Sequence, residues 1–369
     1  MAFLLKIDRG INGLNHLADS WKELVSKQNV QHFFHSWWYY FACLKALNNI
    51  QDDRFLFISA IENGKALAVL PVETAVIRRA GLSVKILGSP RSIYIPYWDW
   101  IGEPGSNGKQ ILQNVFNISN QYPEIAFDIM QFNGVLEDSS FRKAVAELTG
   151  QKRLIREKTQ PCNYIYCDSL KDQLSSLSRN FRGNLRKAKN KLQELTEVTF
   201  TSVKQGQNLQ EAFMRFVKLE ASGWKGINKS AILNNPDILR FYKYLLNQYG
   251  HDSEGECWIN ELLINNRTIS SQFCLRMKDN VYIFKIAYDE TCKKVAPGNM
   301  LLKWMIKECC NDSSTRYLNL ISDSAWHSDW KPRSLSCEEI KYYSSSAKGT
   351  ALWLRKKIST FIHRQKTNT

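Results

Sequence analysis

From Val281 to Met305 the sequence passes from a strand to a loop to a helix, and this span constrains the fold more than any other part of the chain. Val281, Ile283, Lys285 and Ala287 alternate with Tyr282, Phe284, Ile286 and Tyr288, which suits a strand buried on both faces. Asp289, Glu290 and Thr291 then make a turn, Pro297 and Gly298 mark a second break, and Met300, Leu301, Trp304 and Met305 return at helical spacing. A helix is expected to begin near Gly298. Its first backbone N–H groups lack helical partners and carry the positive end of the helix dipole, so an anion such as a pyrophosphate suits that corner. Glycine there permits close approach to the backbone. The same Pro-Gly pair also suits an ordinary strand-to-helix connection.

The rest of the chain reads as two similar halves. In the first, helices are expected from about Asn15 to Ser26 and from Phe34 to Asn48, with strands at Phe55–Ile61 and Lys65–Pro71 joined by an Asn63-Gly64 hairpin turn. A strand at Val84–Gly88, a helix at Lys109–Asn120 and a strand at Ile125–Phe132 follow. In the second half, helices at Leu170–Leu195, Gln210–Glu220 and Ile238–Tyr249 precede strands at Cys257–Ile264, Thr268–Met277 and Asn280–Tyr288, with Asn265-Asn266 as the hairpin turn. A helix at Asn299–Cys310 and a strand at Tyr317–Leu320 complete it. A length of 369 residues is long for one core and fits two domains, with the boundary near Gly150–Pro161. The expected division is 1–155, 156–345 and a basic tail over 346–369.

Hydrophobic residues at 44% suffice for a packed interior and exclude a disordered chain. The 9 cysteines show no C-x-x-C pair and no regular spacing, which points away from a disulfide framework or a zinc site and towards reduced thiols, most of them in the core. Neither a secretion signal nor a run of about 18 apolar residues is found, so a cytoplasmic protein is expected. A formal charge of +15 attracts anionic partners without choosing among cofactor phosphates, nucleic acid and an acidic membrane surface.

Two basic segments stand out. Arg179, Arg182, Arg186 and Lys189 recur three and four residues apart on one face of a helix whose other face carries Leu177, Phe181, Leu185, Ala188 and Leu192. Such a cationic face reads either as a solvated surface or as a wall that holds phosphate or acidic sugar through the planar arginine fork. The tail pairs Arg355, Lys356 and Lys357 with Trp353, Leu354 and Ile358, which suits a docked terminal helix or an amphipathic helix on the inner face of an anionic membrane.

The segments Tyr282–Glu290 (YIFKIAYDE) and Ala296–Leu301 (APGNML) resemble the strand, turn and acyl-CoA loop of the CelD/BcsL-type, or BioF2-like, acetyltransferases of the GNAT superfamily. Ala296 replaces that family's serine. Ser178–Leu192 resembles its basic helix, Gly223–Gly226 its W-K-G turn, and Gln272 a glutamine in the preceding strand. Asp323, Trp326, His327 and Trp330 fit its D-x-x-Y-K-x-x-W element, with Trp326 and His327 in place of tyrosine and lysine.

The resemblance implies an α/β (α+β) fold of two tandem GNAT-like domains, each a mixed, mainly antiparallel sheet flanked by helices. It implies direct transfer of an acyl group, acetyl by default, from acetyl-CoA to an amine or hydroxyl of a sugar or polysaccharide precursor, with no metal. Ala287, Tyr288, Pro297, Gly298, Asn299 and Met300 would then meet the donor. Asp323, His327 and Asp289 are the candidate bases, with Asp323 first. Arg182, Arg186, Trp224, Lys225, Gln272 and Lys285 are the candidate acceptor contacts. Two alternatives stay open at this point: a FemABX-like transferase that uses aminoacyl-tRNA, and a non-catalytic scaffold in a surface-polysaccharide system.

Overall fold

A computed structural model describes residues 3–46, 52–79, 81–204, 206–248 and 255–367. The chain opens with β1 (Leu4–Arg9), α1 (Gly10–His16), α2 (Ala18–Lys27) and α3 (Trp37–Ala46). Then come β2 (Phe55–Glu62), β3 (Lys65–Arg79), β4 (Leu82–Gly88), α4 (Gly108–Phe116), β5 (Ile129–Leu136), α5 (Ser140–Ala146) and β6 (Leu154–Lys158). A second series starts with β7 (Cys162–Tyr166), α6 (Leu170–Ser176), α7 (Arg179–Gln193), β8 (Val198–Val203), α8 (Gln207–Ser222), α9 (Trp224–Ile227) and α10 (Pro236–Gln248). It continues with β9 (Glu256–Ile264), β10 (Arg267–Met277), β11 (Asn280–Tyr288), α11 (Pro297–Asn311), β12 (Tyr317–Asn319) and β13 (Arg333–Leu335). The chain then runs through β14 (Cys337–Tyr343) into α12 (Ala347–Thr367).

Local chemistry explains several of these elements. Both expected hairpin turns form where predicted, because Asn63 and Gly64, and likewise Asn265 and Asn266, all take positive φ, as a type I′ turn requires. The helix expected over Leu170–Leu195 is broken instead. Ser178 is extended at φ −61° and ψ 149°, and its hydroxyl accepts the Phe181 N–H, so it caps a new helix and ends α6 before it.

Two compact units result. The first comprises Met1–Leu44, Asn49–Gln160 and Ser336–Thr369; the second comprises Lys45–Asn48 and Pro161–Leu335. The expected boundaries at 155/156 and 345/346 differ from this division chiefly at the far end. There β14 and α12 belong to the first unit, because β14 inserts between β5 and β6.

Each unit carries one seven-stranded sheet, in the order β1-β2-β3-β4-β5-β14-β6 in the first and β13-β7-β12-β11-β10-β9-β8 in the second. The two follow one plan. Four antiparallel strands lead to a single parallel step, β4 to β5 or β11 to β12, and two further antiparallel strands, β14 then β6 or β7 then β13, complete each sheet. Trp98, Trp100, Phe132 and Phe141 anchor the core of unit 1. Trp258, Val281, Met305, Leu318 and Trp330 anchor that of unit 2.

The tail docks through its first turns. Leu352 is buried against Val84, Ile86 and Tyr343, Trp353 Nε1 donates to Lys152 O at 2.9 Å, and Leu354 and Ile358 remain exposed. Among the described residues no helix is long and apolar enough to cross a membrane.

Candidate active site

Strand β11 and helix α11 are joined by a loop whose every turn has a local cause. Asp289 ends the strand with its N–H on Ile269 O at 2.8 Å, and its carboxylate accepts from the Thr291 N–H at 2.9 Å and the Thr291 hydroxyl at 2.6 Å. It also pairs with Arg267. The chain makes a short 3-10 turn over Glu290–Val295, then reverses at Ala296 in the left-handed region (φ 46°), and Pro297 opens α11 with its preset φ. The helical ladder starts with Met300 N–H on Ala296 O at 3.0 Å, so the N–H groups of Gly298 and Asn299 precede it at the positive end of the dipole.

That helix start borders a cavity of about 320 Å3 lined by Ile286, Ala287 and Tyr288 of β11, by Ser270 and Gln272 of β10, by Lys293 and Ala296 of the loop, and by Pro297, Gly298 and Asn299 of α11. Strand geometry opens it. β11 pairs with β12 only over Asn280–Tyr282, while its remaining residues continue to Tyr288 beside β10, so the sheet splays. A register shift opposite Phe273 and Cys274 adds one residue to β11 and re-aims the end of the strand. A Cβ placed on Gly298 would meet only the Tyr288 ring, Cδ1 at 3.6 Å and Cγ at 4.0 Å, so the space between those residues is open to a small side chain and would be filled by a large one.

The polar wall of the cavity is fixed from behind. Gln272 is buried, and its Oε1 accepts from Asn260 Nδ2 at 3.3 Å. Asn260 is held in turn by Ser202 at 2.6 Å and Trp258 Nε1 at 2.9 Å. The Gln272 amide N–H groups are therefore the donors left for the cavity.

Trp326, partly exposed, also lines the cavity, and its ring lies edge-on to that of His327 at 4.1 Å. His327 is buried in a capping box with Ser324. Its Nδ1 lies 3.0 Å from Ser322 O, 3.3 Å from Ser324 N and 3.4 Å from Asn163 Nδ2; one tautomer donates from Nδ1 to the Ser322 carbonyl, and the other accepts there from the Ser324 N–H, as the capping box requires. Burial lowers the His327 pKa, while the Ser322 carbonyl and the Asp323 charge work in the opposite direction. Asp323 is exposed and accepts from Asn163 Nδ2 at 2.9 Å. Asn163, from β7, thus touches both candidate bases, and Ser334 donates to its Oδ1 at 2.6 Å.

The turn carrying this group is strained. Ile321 has φ 68°, which for a β-branched residue costs of order 1–3 kcal/mol, and the Asn319 side chain holds it there by accepting the Ile321 N–H at 2.8 Å. Trp330 closes the turn, its Nε1 donating to Asn299 Oδ1 at 3.3 Å and its carbonyl accepting from Gln173 at 2.7 Å.

The structure thus brings together Ala287, Tyr288, Pro297, Gly298, Asn299 and Gln272 around one cavity, and Asp323 with His327 around Asn163. Of the other candidate residues, those whose side chains are described lie outside the cavity lining. The Met300 side chain packs with Val295 and Leu301 on the other side of the helix. Asp289 is committed to its turn; hydrogen bonds from Thr291 hold its carboxyl below the usual range, with the nearby Arg267 charge adding to the effect, so it is a weak base at neutral pH. Arg182 and Arg186 stand exposed on α7 outside the cavity lining, Arg182 donating to Ser175 O at 2.6 Å. Lys285 is half-buried on β11, in register with Phe273. Trp224 and Lys225 begin α9, and their side chains lie outside the described structure. The glycine that follows them is needed where it stands, since a Cβ on Gly226 would lie 1.8 Å from Ala221 O.

Sequence reasoning missed Lys293, Ser270 and Asn163. Lys293 had a usable signal, a cation in the spacer just ahead of an anion-shaped loop. Asn163 had none, because it reaches Asp323 from 160 residues away.

Residues 179–331 match the family model of the acetyltransferase (GNAT) domain. No curated protein sequence matches the chain. Among solved structures, the chain is similar to the DUF2156 C-terminal domain of a presumptive lysylphosphatidylglycerol synthetase from Agrobacterium fabrum, with 11% identity, coverage of 92% of this chain and 95% of that one, and a TM-score of 0.52. It is also similar to a conserved protein of unknown function from Bacteroides thetaiotaomicron, with 12% identity, 89% of each chain covered and a TM-score of 0.51. A third similar structure is L-PGS from Bacillus licheniformis, with 10% identity, coverage of 92% and 96%, and a TM-score of 0.50. At such identities these likenesses bear on the fold alone. The fold is the expected one, two tandem GNAT-like units each built on a mixed, mainly antiparallel sheet flanked by helices. The match is to the GNAT acetyltransferase domain as a whole and leaves the narrower CelD/BcsL type untested.

Proposed function

We propose that unit 2 transfers an acyl group from acyl-CoA, with acetyl-CoA as the simplest donor, to an amine or hydroxyl of a sugar, polysaccharide precursor or related amine in the cytoplasm. The observation that carries this reading is the cavity of about 320 Å3 that joins the splayed end of β11 to the free N–H groups at the start of α11. Its volume lies within the range of about 300–1,000 Å3 usual for small-molecule sites. An acyl-CoA supplies a thioester whose carbonyl carbon accepts the nucleophile's electron pair and releases the CoA thiolate. In this reading the Gly298 and Asn299 N–H groups, with Lys293 beside them, hold the donor's phosphates. Backbone N–H groups near Ala287 and the Gln272 amide face the thioester end. Asp323, positioned by Asn163, takes the proton from the attacking amine or hydroxyl, with the His327 imidazole as the next candidate.

The test is thermal unfolding of the full chain with and without saturating acetyl-CoA. A donor at about 100 times its dissociation constant adds about 2.7 kcal/mol, and Gly298→Trp, which fills the space against Tyr288, abolishes the rise. Absence of a rise in the wild-type chain overturns the acyl-CoA reading.

The exposed cationic face of α7 favours a second reading, an aminoacyl-tRNA donor of the FemABX kind. Binding of an aminoacyl-tRNA that weakens steeply with salt, without an acetyl-CoA effect, would select it. Binding of acetyl-CoA with no turnover on any acceptor would instead select the scaffold reading.

A further inference from the structure

Helix α11 borders a second cavity. Gly298, Asn299 and Leu302 face the donor cavity, whereas Met300, Lys303, Trp304 and Lys307, spaced by three and four residues, face a groove of about 630 Å3 closed by α7 and β8. The floor of the groove is apolar. Phe200 and Trp304 stack at 5.8 Å with 25° between their planes, and Leu192, Val198 and Met300 pack around them. Leu195, at the mouth, is exposed. The rim is cationic, formed by Lys189, Lys303 and Lys307, and no carboxylate lines the groove. Among the described residues no ion pair joins any of these three lysines to an acid. Burial, then the neighbouring Lys189 charge, lowers the Lys303 pKa, as expected where cations are gathered without a counter-ion.

We propose that this groove binds a single-chain lipid with a phosphate head, the chain lying on the Phe200 and Trp304 floor and the phosphate held by Lys189, Lys303 and Lys307. Three cations around one apolar slot complement a doubly charged phosphate better than a carboxylate or an uncharged head, and the slot lies within the size range of small-molecule sites. The proposal is independent of the donor cavity.

The experiment is isothermal titration calorimetry of the full chain with oleoyl lysophosphatidic acid below its micelle concentration, set against oleate, monoolein and inorganic phosphate. Saturable binding at one site per chain is expected for the lysophosphatidic acid, at least tenfold tighter than for the three other probes. The charge-removing pair Lys189→Gln, at an exposed side chain, and Lys303→Gln, at a half-buried one, should weaken it at least tenfold while leaving the circular dichroism spectrum and the acetyl-CoA response unchanged. Lack of saturable binding, equal affinity for monoolein or oleate, or a variant that binds as the wild type does overturns the proposal. So does loss, in the same variant, of affinity for an RNA oligonucleotide that the wild type binds when it binds none of the lipids.

Discussion

At the scale of single residues, the sequence and its family resemblance put Asp323 ahead of His327 and Asp289 as the base, and what separates the three in the structure is what each side chain already holds. Asp289 is engaged by Thr291 and Arg267, so its residue type was legible and its commitment was not. Asp323 is held by one amide from Asn163. If it takes the acceptor's proton, Asp323→Asn should lower kcat for acyl transfer by roughly 10²–10⁴-fold, measured as CoA thiol release over an acceptor panel, with the acetyl-CoA stabilisation unchanged. Equal loss of donor binding would mark a structural role instead. His327 makes a different prediction. Its pKa is lowered in the folded protein, so the unfolded chain binds its proton more readily, and stability is lost as pH falls below the ordinary value of about 6.5 towards the folded value. In His327→Gln, the decline of the unfolding midpoint between about pH 6.5 and 5 should therefore be shallower than in the wild type; an unchanged slope would show that the imidazole already carries its charge when folded.

At the scale of elements, the long apolar strands and their hairpins were legible because pattern and turn chemistry agree. β9, β10 and β11 begin within a residue of expectation, and both Asn-containing turns take the positive φ they need. Elements whose pattern is set by distant partners were not legible. β14 reads CEEIKYY, a polar string, yet Glu338 and Lys341 are both buried in it, because Arg142 and Arg156 meet the first and Glu157 meets the second. The break between α6 and α7 shows the opposite case, where one short polar residue overrules a continuous helical pattern. The Ser178 hydroxyl accepts the Phe181 N–H at 3.2 Å, so Ser178→Ala should cost unit 2 about 1 kcal/mol in denaturant unfolding, while Ser178→Asp or Ser178→Thr should retain most of it.

At the scale of the whole molecule, the sequence suggested two domains in series, whereas unit 2 is inserted into unit 1. The chain leaves by β6 and returns by β14, which are neighbours in one sheet, and it enters by β7 and leaves by β13, which are neighbours in the other. No local pattern announces such an insertion, because its signature is pairing between residues nearly 200 positions apart. Glu338 sits at the return. Its carboxylate receives Arg142 Nη2 at 2.8 Å and Arg156 Nε at 2.8 Å, joining β14 to α5 and β6. Burial pushes its pKa up, and the hydrogen bonds and charges of Arg156 and Arg142 outweigh burial and hold it below the usual range. The contribution of this carboxylate is therefore fully present above the unfolded pKa of about 4.3 and is lost as pH falls through the lower folded value. Glu338→Ala removes the anion and leaves two partly exposed arginines without their partner, a loss of about 1–3 kcal/mol, the scale of charge-assisted hydrogen bonds. Hydrogen exchange can locate the damage. Amides of β5 and β6 should lose protection at neutral pH while those of β9, β10 and β11 keep theirs, and below about pH 4 the difference between variant and wild type should shrink. If β9 to β11 open together with β5 and β6, the return strand supports the inserted unit as well as its own.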